Sequence, residues 1–305
     1  MKTLLITGAY GQLGDACVKY LKNNYKITLS GVSPSDGGVH LDIRSKSSIK
    51  KVLSDIDPDV ILNLAALTDV DGCELDPQQA KDINFSGVKN LCRDFSGHFI
   101  QISTDYVFDG KSGPYSEEDE PNPKSVYGET KLFADNWLLD NYSKSTIIRT
   151  NILYSYTKRT KASFLKWVVD SLNDNQNIKV VNDQWNNPTW TESLSSVISK
   201  IIDNQAFDLY HYGDRDILNR FDFSILISKV FNLDSSLIMP ISSDELNQIA
   251  LDNYGSNYSE TLSPGSNEVQ TATSDTPTDK VMEEVTEKSE TQNKNEPFSE
   301  DDIPF

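Results

Sequence analysis

A short apolar run, Thr3–Thr7 (TLLIT), leads directly into Gly8-Ala9-Tyr10-Gly11-Gln12-Leu13-Gly14, and a helical pattern follows. No other feature constrains the fold of this chain as strongly. The run has the apolar, β-branched character of a strand buried on both faces. Leu13, Cys17, Val18 and Leu21 then share one side of a helix. Glycines between strand and helix permit a tight turn and let the backbone approach a pyrophosphate. The helix start offers free N–H groups and the positive end of its dipole to the same phosphates. The turn therefore reads as a dinucleotide site, met by Gly8, Tyr10, Gly11, Gln12 and Leu13.

The alternation repeats. Strands are predicted at Lys26–Val32, at Val39–Ile43, which ends in Asp42-Ile43, and at Val60–Leu64, closed by Ala65-Ala66. Helices are predicted over Ser47–Leu53 and Asp82–Cys92, and further strands over Phe99–Ser103 and Lys144–Arg149, the last of the sheet. Repeated β-turn-α units imply an α/β fold with a doubly wound parallel sheet of Rossmann type. Ligands of such sheets lie at the carboxyl ends of the strands, where Gly8, Ala65 and Thr104 fall. The expected organisation is a dinucleotide-binding domain (1–150), a smaller substrate-binding α/β portion (151–250) and a disordered acidic tail (251–305). The second strand ends in Ser30-Gly31-Val32-Ser33, without the acid that holds the ribose hydroxyls of NAD. Small hydroxyl residues there can accept a 2′-phosphate, so NADP is favoured and NAD stays open.

Chemistry concentrates between Gln101 and Lys131. Tyr127 and Lys131 are one helical turn apart and can present a phenol and an ammonium to one point. A nearby ammonium lowers a tyrosine pKa from its usual ~10. Thr104, at the end of an apolar run, can add a hydroxyl. Such a trio suits protonation of a carbonyl oxygen while hydride arrives from elsewhere.

The formal net charge is −18, which argues against a nucleic-acid-binding surface. Residues 251–305 hold 13 acids and 3 lysines, a net of 3 − 13 = −10, leaving −18 − (−10) = −8 for the rest. Cys17, Cys73 and Cys92 have no metal-ligand spacing and read as free thiols in a reducing compartment, and no metal is expected. With no signal-peptide pattern and no apolar run of membrane-spanning length, the expectation is a soluble, cytoplasmic protein.

The segments GAYGQLG, NLAALTDVDGCE, AKDINFSGVKNL, ISTDYVFDG, PYSEEDEPNP, VYGETK, IIRTNILY and VNDQWNNPT occur in one order over roughly residues 1–230. In them the chain resembles the extended short-chain dehydrogenase/reductases, and more narrowly the dTDP-4-dehydrorhamnose reductase family. The resemblance implies reduction of a nucleotide-linked 4-keto-6-deoxy sugar, with Thr104, Tyr127 and Lys131 catalytic. Tyr127 would give the proton, Lys131 would hold the nicotinamide ribose, and Thr104 would bind the substrate oxygen. It also implies cofactor contacts from Asp42, Ile43, Ala65 and Ala66, and substrate contacts from Thr68, Asp69, Val70, Asp105 and Tyr106. A homodimer is compatible with this reading. The same fold resembles the regulatory subunit of methionine adenosyltransferase, which implies a non-catalytic, NAD(P)-binding alternative.

Two departures stand out. The tryptophan that family members often carry near Ile152, against the sugar, is absent, and the match fades after about Pro240. Helices are still predicted over Ala162–Leu172, Leu194–Ile202 and Phe221–Phe231, and strands over Ile178–Val181 and Leu209–Tyr212. Ser256–Glu300 is too poor in apolar residues to bury a core. The terminal FSEDDIPF resembles the acidic tip of bacterial single-stranded-DNA-binding proteins. That resemblance implies docking to replication or repair proteins, against the plainer reading of a solvated acidic tail.

Overall fold

The computed structural model describes residues 1–35, 37–156 and 163–245. The chain runs β1 (Thr3–Thr7), α1 (Gln12–Leu21), β2 (Lys26–Gly31), β3 (Val39–His40), α2 (Lys46–Ile56) and β4 (Val60–Asn63). Next come α3 (Val70–Leu75), α4 (Pro77–Lys81), a π turn (Asp82–Ser86), α5 (Gly87–Arg93) and β5 (His98–Thr104). A 3-10 turn (Asp105–Val107), α6 (Val126–Asn141) and β6 (Ser145–Thr150) complete the first half. The second half holds β7 (Leu153–Tyr154), α7 (Phe164–Asn173), β8 (Ile178–Val181), β9 (Trp185–Asn186), β10 (Thr189–Trp190) and α8 (Thr191–Asn204). It ends with β11 (Leu209–Tyr212), β12 (Leu218–Asn219), α9 (Arg220–Val230) and β13 (Ile238–Ile241).

Seven strands form one sheet in the order β11-β6-β5-β4-β1-β2-β3, and every pairing in it is parallel. The strands are apolar on both faces because helices cover both. Leu4, Ile6, Leu62, Ile100 and Ile148 face α1 and α8, packing with Cys17, Leu21, Leu194 and Ile198. Leu5, Ile61, Phe99 and Ile147 face the other way, onto Ile49, Val52, Leu91 and Leu138. Strand order reverses direction between β1 and β4, which opens a crevice at their carboxyl ends.

Four details differ from the sequence reading. β6 is not the last strand. β11 pairs outside it, Leu209 to Ile147 through Tyr212 to Thr150, because the apolar edge of β6 needs a partner. With α8 packed on α1, residues beyond 150 thus complete the sheet layer. β3 stops at His40 rather than Ile43, since β2 ends at Gly31 and offers no further ladder. The helix expected over 82–92 begins as a π turn, whose extra residue turns Asn84 inward. Finally, α3 and α4 are too short to show a helical period. Asp69 and Asp76 cap them, accepting from Gly72 N and Gln79 N at 2.9 Å each.

A smaller lobe gathers around Phe164, Val168, Leu172, Val180, Phe223, Ile227 and Ile238. It is built from α7, α9 and the parallel pair β8–β13. The acidic tail and its terminal FSEDDIPF lie outside the described residues. Among those residues no helix is long and apolar enough to cross a membrane, and no three potential metal ligands cluster. All three cysteines are buried and unbridged.

Candidate active site

Tyr127, Lys131 and Asp135 follow one another at i, i+4 and i+8 on α6, so one face of that helix carries all three. The helix starts firmly. Ser125 accepts from Gly128 N at 3.2 Å, and Glu74 Oε1 takes Val126 N at 2.7 Å. Gly128 permits the close approach that follows, because a Cβ there would lie 2.1 Å from the Tyr106 carbonyl oxygen. The first turn of α6 therefore rests directly on the 3-10 turn after β5. The Tyr127 ring stands edge-on to Tyr106, centroids 5.5 Å apart, and the Thr104 side chain neighbours its hydroxyl. Thr104 also accepts from Tyr106 N at 3.2 Å and donates to Asp105 Oδ1 at 3.2 Å. Thr104, Asp105, Tyr106, Tyr127 and Lys131 are thus one cluster.

The electrostatics differ from the simplest expectation. Burial pushes the Tyr127 hydroxyl well above its ordinary pKa; the neighbouring Thr104 side chain opposes this, and Asp105 and Asp135 add to the rise. The lowering expected from Lys131 does not govern, because its ammonium is turned to the main chain and donates to Ile102 O at 2.6 Å. Burial brings Lys131 itself down to about 8, with Asp135 pulling the other way. Tyr127 accordingly holds its proton across neutral pH, the state that a proton donor requires.

The cofactor candidates are spread around the carboxyl ends of β1, β2, β3 and β4. Gly8 has φ +60°, and a Cβ there would stand 2.6 Å from Ala65 N. The glycine turn and the Ala65-Ala66 segment are therefore pressed together where β1 and β4 end. Gly11 caps α1 without a side-chain hydrogen bond, and a Cβ there would meet only the Gly8 carbonyl oxygen, at an ordinary 3.9 Å. Uncapped N–H groups at such an uncrowded helix start suit a diphosphate. Leu13 is in the core, so only its backbone can serve. Gln12 is turned to Leu153 O at 3.1 Å and to Ser155. The Tyr10 ring lies against Gly31 and its hydroxyl reaches Ser35 O at 2.8 Å. Asp42 is tied to Arg44, and the Ile43 side chain packs on Gly87. Ser30 is buried and donates to Ile6 O, which leaves Ser33 and Ser35 as the exposed hydroxyls at this tip. Of the substrate candidates beyond β4, Thr68 is exposed, Asp69 caps α3 and Val70 is buried.

A family model described as the RmlD substrate binding domain matches residues 1–262. The chain belongs to this family. It is 34% identical over 237 residues to a dTDP-4-dehydrorhamnose reductase of Aggregatibacter actinomycetemcomitans, covering 74% of this chain and 78% of that one. It is 29% identical over 251 residues to methionine adenosyltransferase 2 subunit beta of Xenopus tropicalis, covering 79% and 75%. The crystal structure of a dTDP-4-dehydrorhamnose reductase from Bacillus anthracis in complex with NADP superposes with a TM-score of 0.78 at 29% identity, covering 86% and 91%.

In this RmlD-family chain the structure adds residues that sequence reading passed over. Asp135 is fully buried, and its Oδ2 accepts from Ser103 Oγ at 2.9 Å and Arg149 Nε at 3.0 Å. Its helical spacing from Lys131 was visible, but the arginine beneath it was not. Asn84, on the π turn, accepts from Leu67 N at 2.8 Å and donates to Leu67 O at 3.0 Å and Thr130 Oγ1 at 3.2 Å. It ties the segment after β4 to α6, and no local pattern announces it.

Proposed function

We propose that the protein is an NAD(P)H-dependent reductase of a nucleotide-linked 4-keto-6-deoxy sugar, of the dTDP-4-dehydrorhamnose to dTDP-rhamnose type. The observation that carries this reading is the Tyr127 hydroxyl, beside the Thr104 side chain and one helical turn from Lys131, at the carboxyl end of β5 in the parallel sheet. The nicotinamide, when bound, supplies hydride to the ketone carbon of the sugar. Tyr127 gives its proton to the carbonyl oxygen, so that ketone, hydride and proton together yield the alcohol. Thr104 orients the Tyr127 hydroxyl and hydrogen-bonds the same oxygen. Lys131, held by Ile102 O, places a positive charge beneath the tyrosinate that forms and meets the cofactor ribose. NADP is the preferred cofactor, supported by the exposed hydroxyls of Ser33 and Ser35 and by the NADP-bound relative.

The test is oxidation of NADPH with dTDP-4-dehydrorhamnose, wild type against Tyr127→Phe. Turnover by the wild type and a loss of about 100-fold or more in the variant is the expected result. Equal rates would remove Tyr127 from its role. The similarity to methionine adenosyltransferase 2 subunit beta favours a second reading, a non-catalytic NAD(P)-binding subunit. NADPH binding without turnover on any dTDP-keto sugar, with a partner enzyme co-purifying, would select it.

A further inference from the structure

Arg220 is the first residue of α9 and is 7% exposed. Its Nε donates to Gln184 Oε1 at 2.9 Å, and its guanidinium stands 5.8 Å from the Phe164 ring centroid. It makes no ion pair among the described residues. Nearby carboxylates are engaged elsewhere: Asp222 accepts from Asn219 Nδ2 at 2.7 Å, and Asp183 from Ser243 N at 2.9 Å. Withdrawing a guanidinium from water without a counter-charge is costly. One hydrogen bond also leaves most of its five donors unused. A planar fork in that condition suits a phosphate or carboxylate brought by a ligand.

Arg220 lines a cleft with Asp105, Tyr106, Ile152, Trp185 and Asn186, and is its only cationic lining residue among the described residues. Asp105 and Tyr106 directly follow Thr104, and Tyr106 stands against Tyr127, so the cleft opens beside the proton donor. Asp105, bonded to Thr104, makes that end unfavourable for an anion. Negative charge is therefore directed to the Arg220 end, on the smaller lobe. Trp185, 43% exposed on the same cleft, offers a flat apolar plate to a ring.

We propose that Arg220 is the anion anchor of this cleft and receives a phosphate of the diphosphate in a nucleotide-linked substrate. The assignment of that substrate class rests on the function proposed above. Phosphate could also come from the dinucleotide cofactor, and the test separates the two. Full-length protein is titrated calorimetrically with dTDP, thymidine, inorganic pyrophosphate and NADPH. Wild type should bind dTDP at least about tenfold more tightly than thymidine, with pyrophosphate competing. Arg220→Gln should weaken dTDP roughly ten- to a hundredfold, the worth of a charge-assisted hydrogen bond, and leave NADPH unchanged. Arg220→Lys should fall between the two. Equal binding of dTDP and thymidine by wild type, undiminished dTDP binding by Arg220→Gln, or a loss confined to NADPH would each overturn the proposal. Should Arg220→Gln not fold, absence of pyrophosphate competition in wild type overturns it as well. Because the readout is binding, a protein that holds dTDP through Arg220 yet reduces no keto sugar loses the activity and keeps the anchor.

Discussion

Asp135 Oδ2 lies 3.0 Å from Arg149 Nε, and both side chains are sealed from water, 0% and 3% exposed. The pair sits at the face of α6 that carries Tyr127 and Lys131. Arg149 also stands over the Phe108 ring at 5.5 Å. Burial raises the Asp135 carboxyl, and Arg149, then Lys131, oppose the rise. A buried pair of this kind adds little over an apolar replacement, but removing one partner leaves an uncompensated charge. Asp135→Asn should therefore destabilise the fold by about 3–5 kcal/mol. Asp135→Asn combined with Arg149→Met should recover part of that loss. Urea unfolding of the single and double variants measures both.

Lys131 should make the proposed ketone reduction pH-sensitive. Its folded pKa is about 8 because burial outweighs Asp135. The ammonium is present below that value and lost above it. The pH profile of kcat/KM for ketone reduction should therefore fall on an alkaline limb near pH 8. Removing the Asp135 charge removes the influence that raises Lys131, so Asp135→Asn should move that limb to lower pH. A limb that stays in place would show that Asp135 serves stability alone.

Gly8 and Gly11 should respond in opposite ways. At Gly8 an alanine meets Ala65 N at 2.6 Å with φ +60°, so Gly8→Ala should lower Tm and abolish NADPH binding together. At Gly11 the nearest atom is 3.9 Å away, so Gly11→Ala should fold normally. Its methyl would enter the space proposed for the diphosphate, and NADPH affinity should drop with Tm nearly unchanged. Thermal melts with and without NADPH distinguish the two.

Acid stability should depend on His98. Burial, and to a lesser extent Lys2, pushes its pKa down to about 4, while its Nε2 lies 2.7 Å from Thr146 Oγ1. Between about pH 6.5 and pH 4 the unfolded chain binds a proton there that the folded chain does not. Stability should therefore fall as pH drops through this window, by up to about 3 kcal/mol from this residue. His98→Gln should flatten that part of the curve in pH-dependent urea unfolding.

By itself the sequence determined what short spacing can carry. Apolar runs such as Thr3–Thr7 and Val60–Leu64, the glycine turn after the first of them, and the helical offset between Tyr127 and Lys131 are local relations. They were enough to bring the glycine turn, Ala65 and Thr104 to the carboxyl ends of one parallel sheet, with Tyr127 and Lys131 on a helix beside it. Only the tertiary structure decided that β11 closes the edge of β6, that Arg149 lies under Asp135, and that Asn84 turns in from a π turn to hold Leu67. It also decided the electrostatics, because burial rather than the neighbouring ammonium governs Tyr127. The same holds for the cleft joining Tyr106 to Arg220, whose walls come from chain segments far apart in sequence. Periodicity specifies which face of an element is buried, whereas partners across the sheet and between lobes are chosen by packing and desolvation, which no local spacing records.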